Sequence, residues 1–546
     1  NLIHIANGVL IFLLLKRLNL GNSNPPKVQP QKSPRLNLGT LTAFLTALFF
    51  IIHPLQTEAI TYISGRGDAL VAMFMLLVLL SFLKAQGSTL KILKVEPWMA
   101  LSLASLVLGL LSRETAIIFP FLALAFYVSF MSSSRFDLET AKGRTFLRLI
   151  KRGLIATWPY FAVVLVYGIL RLTALNFQNT LNFYTEPNLY SENLYVRMFT
   201  FLPILWEYLK LLIVPMGLHM ERSSVVYTSL FQWPVWPVFL AIIGILTLLI
   251  RFYRLEIRNS KQPREAEQWP LWPLEIEKQN FRILFFGVAL FFISLGPVSG
   301  ITPINAVLYE HWLYLPMVGF WLIASFYLVK LFDHLSRSLA SGERSKASVV
   351  GRWSLVVGLV AYLSFFGYQS ARRNILWGNP IEFYKDILKY EPDSARISNN
   401  LGNTYFNQGD KEQAEFYYQK AVDSSDSFAQ PYFNLGAILQ ARGDMYGAIK
   451  LYEKAIEINP GFYYSYQNLS IIYAQQGNLT KAVENVETLK LLLPNNPRVY
   501  YNSALVYVAL NNKEQALKDL QTGLKYIELD PQTGESISEL IKKLQK

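Results

Sequence analysis

The sequence contains no cysteine and few charged residues for its length. Zero cysteines among 546 residues exclude disulfides, thiolate-bound zinc and a thiol nucleophile. Charged residues make up 16% of the chain, against roughly a quarter in a typical soluble domain. Hydrophobic residues make up 52%, and an aromatic share of 14% excludes a disordered chain. These proportions predict at least one domain that lies in a membrane.

The positive charge is confined to the apolar part of the chain. The formal net charge is +13, with 34 Lys and Arg against 18 Asp and Glu in residues 1–373 and 17 against 20 in residues 374–546. A basic excess that coincides with apolar runs marks the cytoplasmic loops of a membrane domain rather than a nucleic-acid-binding face. We therefore expect membrane lipids as partners, no nucleic-acid partner, and a domain boundary near residue 373.

Ten apolar runs predict about ten membrane spans in residues 1–373. The first run is shorter than the roughly 20 residues that a spanning helix needs, so we expect it to be a helix whose first residues are missing. Tryptophans stand near the ends of several runs, as interfacial aromatics do. The ten runs are 2–15, 38–52, 69–83, 97–111, 116–131, 153–172, 235–250, 282–297, 312–331 and 353–371.

One further run, 198–214, is predicted not to cross the membrane. It carries Glu207 and Lys210, and we interpret it as an interfacial or re-entrant helix. If it does not cross, all base-rich stretches fall on one face, which is then cytoplasmic, and residues after 373 lie outside the cytoplasm. The pair Arg372–Arg373 opposes this topology, because it falls on the outer face. The base-rich stretches are 16–35, 84–94, 135–152, 251–282 and 330–352.

The remainder of the chain repeats with a period of 34 residues. This pattern of small residues, aromatics and closing prolines resembles the tetratricopeptide repeat, in which two helices approach closely in each unit. It predicts a half repeat or linker over 374–394, four repeats over 395–530 and a capping helix over 531–546. We expect this array to bind a protein partner. The repeating series are Gly402, Gly436, Ser470, Ala504; Tyr405, Leu439, Tyr473, Tyr507; Gly409, Gly443, Gly477, Asn511; and Ala414, Ala448, Ala482, Ala516.

Polar residues interrupt the apolar runs on the predicted outer face. His53, Glu58, Arg66 and Asp68 follow the second run within a few residues of one another. One interpretation is an acid/base carboxylate beside an arginine that binds a lipid phosphate. The other is that Asp68 caps a helix and Arg66 reaches from the interface to phospholipid headgroups.

Three more polar groups fall on the same predicted face. Arg113 and Glu114 lie between two runs with almost no loop, where a charged pair is costly unless it is paired or binds an ion. Glu310 and His311 precede the ninth run, and His311 suits phosphate binding or proton transfer near neutral pH. Arg222 follows the interfacial run. No set of residues here predicts a metal site.

Four sequence strings carry a family resemblance. HPLQTEAITYISGRGDALVAMF, LLSRETAIIFPFL, YLKLLIVPMGL and ITPINAVLYEHWLYLPMVGFW, followed by the repeats, resemble the transmembrane and tetratricopeptide-repeat containing protein O-mannosyltransferases, and their bacterial relatives in particular. The resemblance implies a type-C integral-membrane glycosyltransferase that uses a polyprenyl-phosphate sugar and no cofactor. We expect Glu58, Asp68 and Glu114 to be catalytic. We expect the lipid phosphate and sugar to be bound by His53, Arg66, Arg113, Arg222, Glu310 and His311.

The resemblance also implies that the general base lies outside this sequence. In such enzymes an acidic pair in the first outer loop is assigned that role, and this chain begins in what corresponds to the second span. We therefore expect the first span and first outer loop to be missing, and a chain that starts at Asn1 to be inactive.

The expected fold class is all-α: a polytopic helical membrane domain followed by a tetratricopeptide-repeat α-solenoid. The expected function is transfer of a hexose, mannose by implication of the family, from a polyprenyl phosphate to protein Ser or Thr. The repeats would bind the acceptor polypeptide outside the cytoplasm, at a bacterial inner membrane rather than the endoplasmic reticulum. Two alternatives stay open: an O-antigen ligase or polymerase, and a non-enzymatic membrane-anchored scaffold.

Overall fold

The chain folds into two compact helical units. Every regular element in the described ranges is a helix, which confirms the predicted all-α class. The units divide between Trp377 and Gly378, four residues after the predicted boundary, and each is described by itself. The computed structural model describes residues 1–18, 20, 37–62, 65–85, 96–131, 144–174, 188–222, 225–259, 278–301, 307–340 and 346–545.

The first unit consists of long apolar helices joined by short helical turns. A 3₁₀ turn at Glu114–Ile118 precedes α6, and another at Glu310–Leu313 precedes α12. The α-helices are α1 (Leu2–Arg17), α2 (Leu38–Ile52), α3 (Gln56–Thr61), α4 (Arg66–Ala85), α5 (Pro97–Ser112), α6 (Phe119–Phe126), α7 (Arg144–Leu172), α8 (Leu189–Glu192), α9 (Leu194–Ile213), α10 (Val235–Asn259), α11 (Lys278–Leu295), α12 (Pro316–Ala340) and α13 (Lys346–Trp377).

Each of the ten predicted runs coincides with helix over most of its length. Within the described ranges, six helical segments are long and apolar enough to cross a membrane, so the chain is a multi-pass membrane protein. The total of ten spans stays a prediction, and most of the base-rich stretches that orient the topology lie outside the described residues. The six segments are Arg66–Ala85, Glu114–Met131, Leu149–Leu172, Phe281–Val298, Pro316–Ser336 and Val349–Trp377.

The outer helices of this unit present apolar side chains to their surroundings. Leu165 of α7 and Val357 of α13 are 65% and 64% exposed, as lipid-facing residues of a membrane helix are. Inside, Phe49 of α2 stacks on Trp321 of α12 with ring centroids 4.0 Å apart. At Gly319, α12 approaches α11 so closely that a Cβ atom would meet the carbonyl oxygen of Gly287.

Helix α9, which includes the predicted interfacial run, contacts two polar connections, one near each of its ends. Arg197 near its beginning donates to the Gly300 carbonyl, which follows α11, over 2.7 Å. The carbonyl of Leu212 near its end is 3.0 Å from Nε2 of His53, which follows α2. A helix that lies along one end of the bundle produces this pair of contacts. Its interfacial position stays a prediction.

The second unit is a stack of paired helices. Four pairs of helices follow one another with the 34-residue period of the sequence, and the last helix packs against the end of the stack. The helices are α14 (Pro380–Leu388), α15 (Ala395–Asn407), α16 (Lys411–Ser424), α17 (Ala429–Ala441), α18 (Met445–Ile458), α19 (Tyr463–Gln475), α20 (Leu479–Leu492), α21 (Pro497–Ala509), α22 (Lys513–Leu524) and α23 (Pro531–Gln545).

A small residue faces a larger one where the two helices of a repeat cross. A Cβ atom on Gly402 would lie 2.6 Å from the Tyr418 ring, and one on Gly436 would lie 2.9 Å from the Tyr452 ring. In the next two repeats a larger residue replaces the glycine and a smaller residue replaces the tyrosine, so the summed volume of the two side chains stays similar. The four pairs of equivalent positions are Gly402 and Tyr418, Gly436 and Tyr452, Ser470 and Val486, and Ala504 and Leu520.

Candidate functional site

Polar side chains from the ends of several helices form two neighbouring clusters in the first unit. We call the first the histidine cluster; it comprises Glu58, Asp68, Arg113 and His311. We call the second the glutamate cluster; it comprises Glu310, Arg222, Arg373 and the backbone of His219. The clusters are adjacent because Glu310 and His311 are consecutive on the 3₁₀ turn before α12.

The histidine cluster is a chain of charged and ionisable groups. Nδ1 of His311 donates to Oε1 of Glu58 over 2.8 Å, and its Nε2 lies 3.8 Å from Oδ2 of Asp68. The same Oδ2 accepts from Nη1 of Arg113 at 2.5 Å. Glu58 comes from α3, Asp68 from the first turn of α4, and Arg113 from the residue after α5. Three connections of the chain therefore meet at one imidazole.

Burial of these charged groups lowers the stability of the folded protein. The side chain of Glu58 is 0% exposed, and its second oxygen, Oε2, has no hydrogen-bond partner among the described residues. A buried carboxylate that is only partly satisfied destabilises the fold, and ionisable groups among membrane helices are typical of functional sites. The histidine cluster is therefore better explained as a functional site than as a set of contacts that stabilise the fold.

A small cavity borders the histidine cluster. Its volume is ≈ 30 Å³, enough for about one water molecule or for one polar group of a bound molecule. Asp68 and His311 line it together with the hydroxyl-bearing residues Thr115 and Tyr314. The reactive groups of the cluster are thus next to open space rather than sealed by side chains.

The glutamate cluster surrounds one fully buried carboxylate with cationic partners. Oε1 of Glu310 accepts from Nη2 of Arg222 over 2.9 Å and from the backbone N–H of His219 over 2.8 Å. Its Oε2 forms an ion pair with Arg373, whose side chain is 7% exposed. Burial would raise the pKa of Glu310, but Arg373 and Arg222 outweigh it and hold that pKa below its usual value. Glu310 is therefore an anion, and the 3₁₀ turn that carries His311 is fixed in place.

Polar groups also extend from the cavity toward α1. The hydroxyl of Tyr314 is hydrogen-bonded to Nδ1 of His4 at 2.9 Å and accepts from Nδ2 of Asn7 at 3.0 Å. Nδ2 of Asn7 also donates to the Ala69 carbonyl in α4 over 2.8 Å. These contacts fix Tyr314 as one wall of the cavity.

Curated proteins with similar sequences are named as mannosyl-transferases. The chain is 25% identical over 390 residues to Protein O-mannosyl-transferase F38B6.6 of Caenorhabditis elegans, an alignment that covers 71% of this chain and 46% of that protein. It is 29% identical over 150 residues to Protein O-mannosyl-transferase Tmtc1 of Drosophila melanogaster, which covers 27% of this chain and 16% of that protein.

The chain is homologous to the protein O-mannosyl-transferases. This homology confirms the family resemblance of the four sequence strings. The chain spans less than half the length of these curated relatives.

The repeats of this mannosyl-transferase homologue match known repeat families. Models described as tetratricopeptide repeat match residues 395–424, 429–462, 451–484 and 497–532, which confirms the repeat prediction. Among solved structures, the crystal structure of MamA protein is similar at 26% identity and a TM-score of 0.26, over 30% of this chain and 88% of that one.

The structure brings six of the nine predicted site residues of the mannosyl-transferase homologue into the two clusters. They are Glu58, Asp68, Arg113, Arg222, Glu310 and His311. Of the other three, Arg66 is exposed at the beginning of α4 and is available to a ligand or a lipid headgroup. Asp68 contacts a guanidinium and approaches an imidazole, so it is more than a helix cap.

Glu114 and His53 lie apart from the clusters. Glu114 is 62% exposed and pairs with Arg171 of α7, the two joined by a contact of 2.5 Å between Oε1 and Nη2. His53 is buried, with Nε2 bonded to the Leu212 carbonyl, and burial lowers its pKa to about 3. His53 is therefore neutral and holds α9 in place, a role different from the predicted phosphate or sugar contact.

Arg373 is a residue of the candidate site that the sequence did not single out. In the sequence, Arg373 stands out only as part of the basic pair Arg372–Arg373 on the predicted outer face, where basic residues are rare. Its neighbour Arg372 is exposed, while Arg373 is buried against Glu310. A basic residue that breaks the charge rule on an outer face is the signal that would have indicated a buried acidic partner. Within the described residues, no group of His, Asp and Glu is arranged to hold a metal ion.

Proposed function

We propose that this protein is a membrane glycosyltransferase that transfers mannose from a polyprenyl phosphate to Ser or Thr hydroxyls of a polypeptide. One observation carries the proposal: the chain of contacts Glu58–His311–Asp68–Arg113, buried at Glu58 and His311 and half-buried at Asp68 and Arg113, beside a cavity at the ends of membrane helices. A lipid phosphate sits at the membrane surface, the depth at which helix ends and their connections lie. The names of the homologous proteins supply the sugar and the acceptor class.

The clusters contain groups that can stabilise the charge that such a transfer produces. The acceptor oxygen attacks the anomeric carbon while the bond from that carbon to the phosphate oxygen breaks, which leaves negative charge on the lipid phosphate. A guanidinium stabilises that charge by bidentate hydrogen bonds. Arg113, oriented by Asp68, and the exposed Arg66 are the residues to which we assign this role. The lipid-linked sugar is a substrate, and the proposal requires no cofactor.

We place this site on the extracytoplasmic face. The contacts of α9 with the Gly300 and His53 connections support an interfacial helix, and the non-crossing topology then puts the site opposite the base-rich loops. In that topology the repeats follow on the same side, where they bind acceptor polypeptide. We assign the membrane to a bacterial inner membrane on the sequence motifs.

A topology reporter tests on which face of the membrane the repeats lie. Alkaline phosphatase fused after Lys546 is expected to be active, because it folds only outside the bacterial cytoplasm. A green fluorescent protein at the same position is expected to stay dark when it is exported unfolded. Fluorescence with inactive phosphatase would place the repeats in the cytoplasm and contradict this part of the proposal.

A transfer assay tests the activity. The complete protein, purified in detergent, is incubated with polyprenyl-phosphate mannose and a Ser- and Thr-rich peptide, and mannosylated peptide is measured. We expect product from this donor and none from a nucleotide sugar. Arg113→Ala should reduce transfer about 100-fold or more, because a charge-stabilising donor is lost. Arg171→Ala, an arginine paired with exposed Glu114 instead, should retain most of the activity.

Two outcomes of this assay would contradict the proposal. Full activity of Arg113→Ala would remove the phosphate role of that residue. Transfer to a glycan or a lipid but to no peptide would identify the O-antigen ligase class, and the absence of transfer to any acceptor would favour a scaffold.

A further inference from the structure

Ser294, in the last turn of α11, carries a hydroxyl group whose hydrogen-bonding capacity is unused. Its Oγ is buried and has no hydrogen-bond partner among the described residues. A buried hydroxyl in an apolar helix usually donates to the backbone carbonyl four residues earlier, because leaving it unpaired costs free energy. Ser294 does not do so. Six hydroxyl-bearing residues of the first unit that follow the usual pattern are Thr42, Thr46, Ser105, Ser129, Thr157 and Ser336.

Ser294 lines the cavity that borders the histidine cluster. Asp68 and His311 line the same cavity, whose volume of ≈ 30 Å³ is enough for one water molecule or one polar group. Arg113 binds Oδ2 of Asp68, and the contact between Asp68 and His311 involves that same oxygen. Oδ1 of Asp68 therefore has no hydrogen-bond partner within the described ranges. A hydroxyl and a carboxylate, each with unused hydrogen-bonding capacity, thus belong to one small cavity.

This lining suits a neutral group that both donates and accepts hydrogen bonds. A carboxylate only accepts, whereas a serine hydroxyl can also donate, so a single hydroxyl group satisfies Asp68 and Ser294 at the same time. A phosphate is larger than one water molecule, and its negative charge would face the Asp68 carboxylate. The chemistry of the described lining therefore indicates an alcohol rather than an anion.

We propose that this cavity is a subsite for one hydroxyl group of the donor sugar, which accepts a hydrogen bond from Ser294 and donates one to Asp68. This inference rests on the proposed function, in which Arg113 binds the phosphate of the same donor. An ion pair of 2.5 Å joins Arg113 to Asp68, so the phosphate-binding and hydroxyl-binding groups are adjacent. The sugar is bonded directly to that phosphate, which brings its hydroxyls within reach of the cavity. Ser294 then contributes to the selection of the sugar.

A titration of donor binding tests the contact without requiring transfer. The complete protein in detergent is titrated with polyprenyl-phosphate mannose and with four analogues, each of which lacks one free hydroxyl of the sugar. Ser294→Ala should weaken binding of the mannose donor about 3- to 10-fold, because a hydrogen bond between uncharged groups is lost. For one analogue, wild type and Ser294→Ala should bind equally, since the hydroxyl that Ser294 contacts is absent. The other three analogues should show the same loss as the mannose donor.

Ser325→Ala is the matched control. Ser325 of α12 is 0% exposed, and its Oγ is likewise unpartnered among the described residues, but it does not line this cavity. Its replacement should leave the affinity for every donor within about twofold of wild type, because no sugar contact is removed. A loss in Ser325→Ala equal to that in Ser294→Ala would show that the effect comes from packing and would overturn the inference.

The results separate this inference from the proposed function. A loss in Ser294→Ala that is the same for all donors, or no loss at all, would assign the cavity to a water molecule or to the acceptor hydroxyl. The sugar subsite would then be refuted, while measured transfer of mannose would still support the transferase. Equal binding of one analogue, in a protein that transfers no mannose, would support the subsite and refute the transferase. If the wild-type protein binds none of the donors, both fail.

Discussion

Arg373 of α13 forms an ion pair with buried Glu310, the residue directly before His311. This contact joins the end of α13 to the turn that carries His311. Because Glu310 also binds Arg222, its charge is shared between two guanidiniums.

Removal of Arg373 should therefore weaken the fold measurably. Arg373→Ala leaves one guanidinium for a fully buried carboxylate, and we expect the free energy of unfolding to fall by about 1–3 kcal/mol. Thermal unfolding of the detergent-solubilised protein measures the change. Arg372→Ala is the matched control, because this neighbouring arginine is exposed and should have almost no effect. Equal losses in both variants would show that the pair with Glu310 contributes nothing specific.

Glu58 and Glu114 should differ as catalytic residues. Glu58→Gln keeps an oxygen that accepts from Nδ1 of His311 but removes the negative charge from this buried contact, so transfer should fall about 100-fold. Glu114→Gln loosens an exposed pair with Arg171, and its loss should be at least tenfold smaller. The transfer assay compares the two. A larger loss for Glu114→Gln would return the predicted catalytic role to that residue.

His53 should make the protein sensitive to acid. Its pKa is lowered from 6.5 to about 3 by burial, so below pH 6.5 the unfolded chain takes up a proton that the folded protein does not. Stability is therefore full above pH 6.5 and decreases as the pH falls, by about 2 kcal/mol at pH 5.

The variant His53→Gln separates this effect from others. It retains a donor for the Leu212 carbonyl and has nothing to protonate, so its Tm should decrease less than that of wild type between pH 7.5 and pH 5. His334→Gln should behave as wild type because this histidine is exposed. Parallel decreases in all three proteins would contradict the assignment to His53.

Gly402 tests the packing of the repeats. Alanine usually stabilises a helix by up to about 1 kcal/mol relative to glycine. Here its Cβ would lie 2.6 Å from the ring of Tyr418, which is 2% exposed and bonded to Asn403, so it has little room to move. The cost of overpacking should exceed the gain in helix propensity, and Gly402→Ala should lower the stability of the repeat unit by about 1–2 kcal/mol. The double variant Gly402→Ala/Tyr418→Leu should recover most of it, as Ala504 and Leu520 pack naturally.

The sequence predicted the features that depend on local pattern. Apolar runs predicted segments that are helical in the structure, and the 34-residue period predicted tetratricopeptide repeats that the family models match, because both signals come from residues close in the chain. It also selected six residues of the two clusters, since charged residues between apolar runs are rare enough to stand out.

Contacts between residues that are distant in the sequence were harder to predict from it. The pairing of Glu114 with Arg171, rather than with the histidine cluster, depends on where α7 packs. The burial of Arg373 depends on how α13 is rotated about its axis, which an evenly apolar helix does not reveal. His53 looked like a ligand because its partner is a backbone carbonyl that carries no sequence signal.

Within the described part of α13, the two buried side chains are Phe366 and Arg373, seven residues apart. Seven residues are close to two full turns, so both lie on one stripe of a helix whose other described side chains are half-buried or exposed. An inserted residue between them would turn Arg373 by about 100° relative to Phe366 and carry a guanidinium into hydrocarbon. An insertion nearer the beginning of the helix would leave the stripe intact. The spacing of these two residues therefore fixes the length of the helix over two turns.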